Sequence, residues 1–201
     1  MDRLARASED PNGFRGPFAA LTLAEVARTD RVASWINETE RSELIAAVHA
    51  YLETLTVHCG YSDTESWRRS VAHTGDLLLP VSLNPQVRKP QAKDILAAVA
   101  LKVGTPDHAY ICGESERLAA PATYLAFEET FTAEEGSAWF LCLCPPEDPL
   151  REDTCRSEAG LTRPHNLKVL TQSAYINAVA RHDDRMKPLA SAAFEFLNLL
   201  A

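Results

Sequence analysis

Residues 37 to 55, NETERSELIAAVHAYLETL, leave little choice of local structure. Asn37 offers a side-chain oxygen to the first turn of a helix, and Glu40, three residues on, can reach back to the Asn37 backbone. Leu44, Val48, Tyr51, Leu52 and Leu55 then recur at helical spacing. Gly60 suits the left-handed residue that ends such a helix. The same punctuation returns along the chain. Pro17 suits the first turn of a helix from Pro17 to about Arg28. Ser62 with Glu65 repeats the capping pattern and predicts a helix over 64–79, closed by Pro80 and the Asn84-Pro85 pair. Pro90 opens the next, with Ile95, Leu96, Val99 and Val103 apolar and Gly104 at its end. Glu114 to about Phe131 reads as a helix that Pro121 kinks. A short apolar helix covers about 134 to 143. Thr162 and Pro164 start one that runs to about Arg181, and Asp183 or Asp184 starts the last. No segment alternates as a strand does; VSL (81 to 83) and AYIC (109 to 112) read as extended connectors. About eight helices with mainly short links predict an all-α chain. Consecutive antiparallel helices that each bury one face stack into a helical-pair array, with a compact bundle as the competing arrangement.

Length and charge bound what such a chain can do. At 201 residues it can bury one domain, and residues 1–13, polar and ending in an Asp-Pro-Asn-Gly turn, read as a flexible lead-in to a single array domain over 14–201. The net charge of -8 speaks against nucleic acid and against an anionic membrane surface. The longest apolar runs, such as ILAAVAL (95 to 101), fall short of the roughly 20 residues a membrane helix needs. The N-terminus has no apolar export segment, and the five cysteines are odd in number with no framework spacing, so a reducing cytoplasm is the expected location. The stretch from 145 to 162, beginning PPEDP, is the longest expected loop.

Polar chemistry concentrates in SWRRSVAHTGDLL, residues 66 to 78. On a helix over 64–79, Trp67, Val71 and Leu78 share one face, while Arg69, His73 and Asp76 share the other. At that spacing His73 touches both neighbours, and Asp76 orients it. Such a trio can hold an anionic ligand through Arg69 or support acid–base chemistry through His73. A solvated face with ordinary charge pairs is the structural alternative. Glu114, Glu116 and Arg117 begin a helix. The acids complement its dipole there, and Arg117 is placed to brace a neighbouring element. If the array curves, Arg15, Glu114 and Arg117 join the His73 face in one concave site for a small acidic ligand. Cys142-x-Cys144 is short of a zinc set, and in an apolar helix these cysteines read as small hydrophobes. There is no nucleophile elbow and no Gly-rich phosphate loop, so neither a metal nor a cofactor is expected.

Several of these residues also carry a resemblance. Ser66-Trp67, Ala72-His73 and Asp76-Leu77-Leu78 resemble a Trp-x-His-Ala-x-Ala-His-x-Ala-Asp-x-Leu signature found in a bacterial family, domain of unknown function 2785. Arg15, Phe18, Leu21, Leu23 and Ala24 are similar to that family's Arg-led helix. The run from Gly113 to Ala119 resembles its Gly-Glu-Asp-Glu-Arg-Leu-Ala segment. Trp139, Asn166, Leu170 and Tyr175 follow its closing pattern. The resemblance runs from about residue 14 to the end and implies an α-α superhelix of the armadillo or HEAT kind. It implies no activity. Where members carry a histidine this chain has Arg69, which cannot complete a His-x-x-x-His metal pair because it stays protonated.

The leading functional expectation is therefore a non-enzymatic helical scaffold that binds a protein or small anionic ligand on a concave face. A hydrolase-type enzyme with His73 as general base, and Arg69 or Arg117 holding an anionic substrate, is the second. A purely structural or oligomerising protein is the third.

Overall fold

A computed structural model describes residues 13–56, 60–64, 66–145, 148 and 156–200, with Met1, Leu4 and Arg6. Among them are eight α-helices: α1 (Arg15–Val32), α2 (Glu38–Thr54), α3 (Ser70–Ser82), α4 (Lys89–Val103), α5 (Glu114–Phe127), α6 (Ala133–Leu143), α7 (Glu158–Ala180) and α8 (Lys187–Leu199). A short 3-10 turn, Asp184–Met186, leads into α8. The chain is all-α. Of the expected lead-in, Leu4 is buried in the core, and most of the remainder lies outside the described residues.

The helices pack in two rows. The odd-numbered helices form one, α1 on α3, α3 on α5 and α5 on α7. In the other, α2 packs on α4 and α6 on α8, and contacts of α4 with α5 and of α7 with α8 tie the rows together. Each helix buries a stripe of apolar side chains, as helical spacing requires. Ile45, Leu52, Leu77, Leu78, Ile95, Leu118, Leu125, Leu167 and Phe196 are among those that meet in one continuous core. Phe140 of α6 and Phe196 of α8 stack at 5.6 Å between ring centroids and are both buried. Each contributes on the order of 2 kcal/mol by burial.

The caps on α2 form as the sequence implies: Asn37 Oδ1 accepts the Glu40 N–H at 2.9 Å, and Glu40 Oε2 accepts the Asn37 N–H at 2.9 Å. The same reciprocal pair, Thr132 with Glu135, opens α6. Helix α2 ends sooner than Gly60 suggests. It stops at Thr54, where the Leu55 carbonyl accepts a hydrogen bond from the Lys102 ammonium at 2.9 Å. Burial depresses the Lys102 pKa, and nearby Asp107 offsets this in part.

The largest departure lies in the stretch expected to be a helix from 64. Tyr61–Ser62 and Ser66–Trp67 instead pair as β1 and β2 of a two-residue antiparallel hairpin, with Tyr61 opposite Trp67 and their rings 4.9 Å apart. Ser62 Oγ bonds the Thr64 hydroxyl at 3.0 Å, so it shapes the turn instead of capping a helix. Glu65, its expected capping partner, lies outside the described residues. Helix α3 begins only at Ser70 and runs through Pro80 to Ser82. Helix α7 likewise starts four residues before Thr162, where Ser157 Oγ caps the Gly160 N–H at 2.9 Å, and holds Pro164 inside. That shortens the loop expected over 145–162, of which 146, 147 and 149–155 lie outside the described residues.

Candidate functional site

Among the described residues two places stand out: the polar cluster the sequence singles out, and a cavity it does not. The cluster forms where α3 crosses α5. Gly75 makes the crossing close, since a Cβ built on it would lie 2.9 Å from the Arg117 carbonyl carbon and oxygen. Prolines loosen both helices here. Pro80 has no N–H for the Asp76 carbonyl, four residues back, and Pro121 has none for that of Arg117. The close approach brings Arg117 Nη1 to 2.7 Å from Asp76 Oδ1, with Oδ2 also in contact. His73 Nδ1 lies 3.2 Å from Asp76 Oδ2. Burial opposes the charged form of Asp76, but hydrogen bonds from His73 and Arg117 outweigh it and hold the carboxyl below its usual pKa. The Phe18 ring of α1 sits beside the imidazole at 6.3 Å between centroids.

Of the six residues expected to act together, His73, Asp76 and Arg117 do meet. Arg69 does not share their helix face. It precedes α3 in the left-handed conformation, φ 53°, gives its carbonyl to the His73 N–H at 2.8 Å and lays its guanidinium over the Trp67 ring at 4.2 Å. The hairpin causes this, because it turns the chain just before α3 begins. Glu114 is buried apart from the trio. Its Oε2 accepts the Cys112 N–H at 2.8 Å, and its Oε1 packs where a Cβ on Gly60 would lie, 2.5 Å away. Arg15 opens α1 at the surface, one turn before Phe18.

The cavity, of about 460 Å³, opens where α4, α5, α6 and the start of α8 meet. Leu96, Ala126, Phe131, Trp139, Pro188 and Leu189 supply its apolar wall, and Glu129, Thr132, Asp184 and Arg185 its polar lining. The indole N–H of Trp139 donates to the Leu96 carbonyl at 3.2 Å, which fixes the ring against α4. Gly136 of α6 also lines the space, and a Cβ built on it meets nothing within 4 Å. The Arg185 guanidinium is already engaged: it forks onto Asp183, at 2.7 Å from Nη2 to Oδ2, and lies 4.0 Å over the Phe127 ring. Those bonds from Arg185 hold the Asp183 carboxyl down at about 2.

Helix α5 ends beside this cavity. The Thr130 N–H bonds the Leu125 carbonyl and the Glu129 N–H bonds that of Ala126, each at 3.0 Å. This is the paired closure in which glycine usually takes the left-handed position. Here Glu129 occupies it, with φ 54°. The helix expected to reach Phe131 thus stops at Phe127, and the turn that follows places residues 129 to 132 along the cavity. Of the cavity residues, the sequence marks Leu96 and Leu189 as apolar helix positions, Asp184 as a candidate helix start and Trp139 through its family pattern. Glu129 and Gly136 went unmarked, although a doubled acid at a helix end, opposed to the dipole, was a usable signal.

A second buried polar centre also escaped the sequence reading. Asp30, near the C-terminal end of α1, accepts the Trp35 and Ile36 N–H groups at 2.8 and 2.7 Å, the Asn84 amide at 2.6 Å and the Arg41 guanidinium at 3.3 Å. Desolvation works against its charge, and these bonds prevail and lower its pKa. Asp30 and Arg41 are both almost fully buried, and they join α1, α2 and the link after α3. Asn166 of α7 does similar work elsewhere, accepting the Tyr110 N–H at 2.8 Å and donating to the His108 carbonyl at 2.9 Å. Both centres tie helices to the links between them.

No helix among the described residues is long and apolar enough to cross a membrane. No curated protein and no solved structure matches the chain. A family model described as a protein of unknown function (DUF2785) matches residues 5–176, from before α1 to near the end of α7. The chain therefore belongs to the DUF2785 family.

Proposed function

We propose that this chain is a non-enzymatic helical binding module that holds a small, largely apolar molecule in the cavity between α4, α5, α6 and α8. The cavity itself carries the reading: about 460 Å³ of space with an apolar wall and a few polar groups is what small-molecule sites look like. Two stacked rows of helices are also the plan of HEAT-like arrays, which act by recognition. The polar cluster supports the reading by contrast. Asp76 already neutralises Arg117, and Arg69 lies on Trp67, so two of the three cations expected at an anion site are engaged.

One observation favours an enzyme instead. Asp76 orients His73 through Nδ1, the arrangement that readies Nε2 as a base. The reading lacks a substrate-holding cation, because Arg117 is spent on the same carboxylate.

Thermal unfolding with phenylbutylamine and phenylbutanol as probes separates the two. A ligand at about 100 times its dissociation constant stabilises the native state by about 2.7 kcal/mol. At least one probe is expected to raise Tm in the wild type and leave Gly136→Leu unmoved, since the leucine fills the cavity. The variant itself is expected to be as stable as the wild type, because leucine replaces glycine within a helix. Equal shifts in both proteins, or none in the wild type, would refute a cavity site.

A further inference from the structure

We infer that the cavity takes an organic cation, a molecule with an apolar body and one protonated amine, and that Glu129 is its counter-ion. This rests on the cavity being a ligand site. The wall fits the body. Phe131 and Trp139 offer ring surface, and the one N–H of Trp139 is consumed by the Leu96 carbonyl, so the wall presents rings in place of donors.

The polar lining fits the charge. Arg185 is the one cation lining the cavity among the described residues, and Asp183 and the Phe127 face already satisfy it. Asp184 pairs at 2.8 Å with Lys187, and both side chains are highly exposed, so the pair holds little. Glu129 has no ion-pair partner within 4.0 Å among the described residues; it acts on Arg185 at longer range, and the Arg185 guanidinium is committed to Asp183. The unmet charge at the cavity is therefore negative. A carboxylate ligand would meet Glu129 and no open cation. An ammonium group would gain Glu129 and the aromatic faces together.

The backbone agrees with this assignment. Glu129 holds a left-handed conformation that glycine adopts without strain and that a side chain enters only at a cost. Such strain is often retained where a side chain has work to do.

Calorimetric titration with phenylbutylamine, phenylbutanol and phenylbutanoate tests the class, since the three share one skeleton and differ in the head. The amine is expected to bind at least about tenfold tighter than the alcohol, and the carboxylate weakest. Glu129→Gln is expected to bring amine and alcohol within about twofold of each other, chiefly by weakening the amine. Added salt should shrink the amine preference in the wild type only. If the carboxylate binds best, or Glu129→Gln keeps the amine preference, the cation assignment is overturned. In that case blockage by Gly136→Leu still upholds the cavity as the site. No binding by any of the three overturns both.

Discussion

Asp76 on α3 and Arg117 on α5 share a charge-assisted hydrogen bond of 2.7 Å across a helix crossing that leaves no room for a side chain at Gly75. The two features depend on each other. Only a glycine at 75 lets α3 approach the Arg117 backbone so closely, and that approach sets the reach of the pair. The Arg117 carbonyl, deprived of its helical donor by Pro121, is the group that Gly75 faces.

Gly75→Ala should therefore be destabilising even though alanine is the better helix former. Its Cβ would lie within van der Waals overlap of backbone atoms that cannot rotate away. Overpacking of this kind costs about 1–3 kcal/mol, more than the propensity gain of about 1 kcal/mol. Urea unfolding of the two proteins measures the difference; an alanine variant as stable as the wild type would mean that the crossing is looser than the structure shows.

The Asp76 pair carries a pH signature. The folded carboxyl lies below its usual pKa, so its stabilisation is present above the unfolded value and lost as pH falls through the folded one. Asp76→Asn should cost about 1 kcal/mol near pH 6, a modest figure because the pair is partly exposed. The gap between wild type and variant should narrow as pH falls below about 4. Urea melts across that range test it, and a gap independent of pH would show that the carboxylate charge contributes nothing.

Asp30 and Arg41 should behave more severely, because both are buried. Removing one partner leaves an uncompensated charge in the core, at a cost of about 3–5 kcal/mol. Arg41→Met alone is expected to be strongly destabilised, and the double variant with Asp30→Asn to recover part of the loss. A double-mutant cycle by urea unfolding gives the coupling. Strict additivity would contradict a direct pair.

Glu129→Gly offers a trade. Glycine relieves the left-handed strain at the end of α5, so the variant should gain up to about 1 kcal/mol in thermal or urea unfolding. It should at the same time lose the preference for an amine over its alcohol. A variant that loses stability would show that the Glu129 side chain holds the turn instead of serving a ligand.

The helical plan was legible because caps and apolar spacing act locally. Asn37, Glu40 and the Leu44–Val48–Tyr51 stripe declare α2 with no knowledge of its neighbours, and helices at the expected places follow for the rest. The ends of α5 and α7 differ through local caps, and the larger errors fall where a more distant contact decides. Ser62 and Glu65 spell a helix cap, yet the Tyr61–Trp67 stack and the Gly60 carbonyl, which accepts the Arg68 N–H at 3.0 Å, make a hairpin. Pro80 reads as a terminator, and tertiary packing carries α3 past it. The meeting of His73, Asp76 and Arg117 could be conjectured from sequence, but only the close approach at Gly75 produces it. The cavity was not legible at all. Its lining comes from four helices and two links, and no local pattern brings Leu96, Glu129, Trp139 and Leu189 together.

The three tryptophans give the most direct test of the central claim, because each reports a different place. Trp139 lines the cavity, Trp67 lies beside Arg69 near the His73 cluster, and Trp35 is exposed at the end of α1. A nitrogen-15 correlation spectrum resolves their indole N–H signals in the intact protein. Titration with phenylbutylamine should move the Trp139 signal along a saturable curve and leave those of Trp67 and Trp35 in place, with no movement of Trp139 in Gly136→Leu. Saturable movement of Trp67 with Trp139 unmoved would put the site at the His73 cluster and contradict the account.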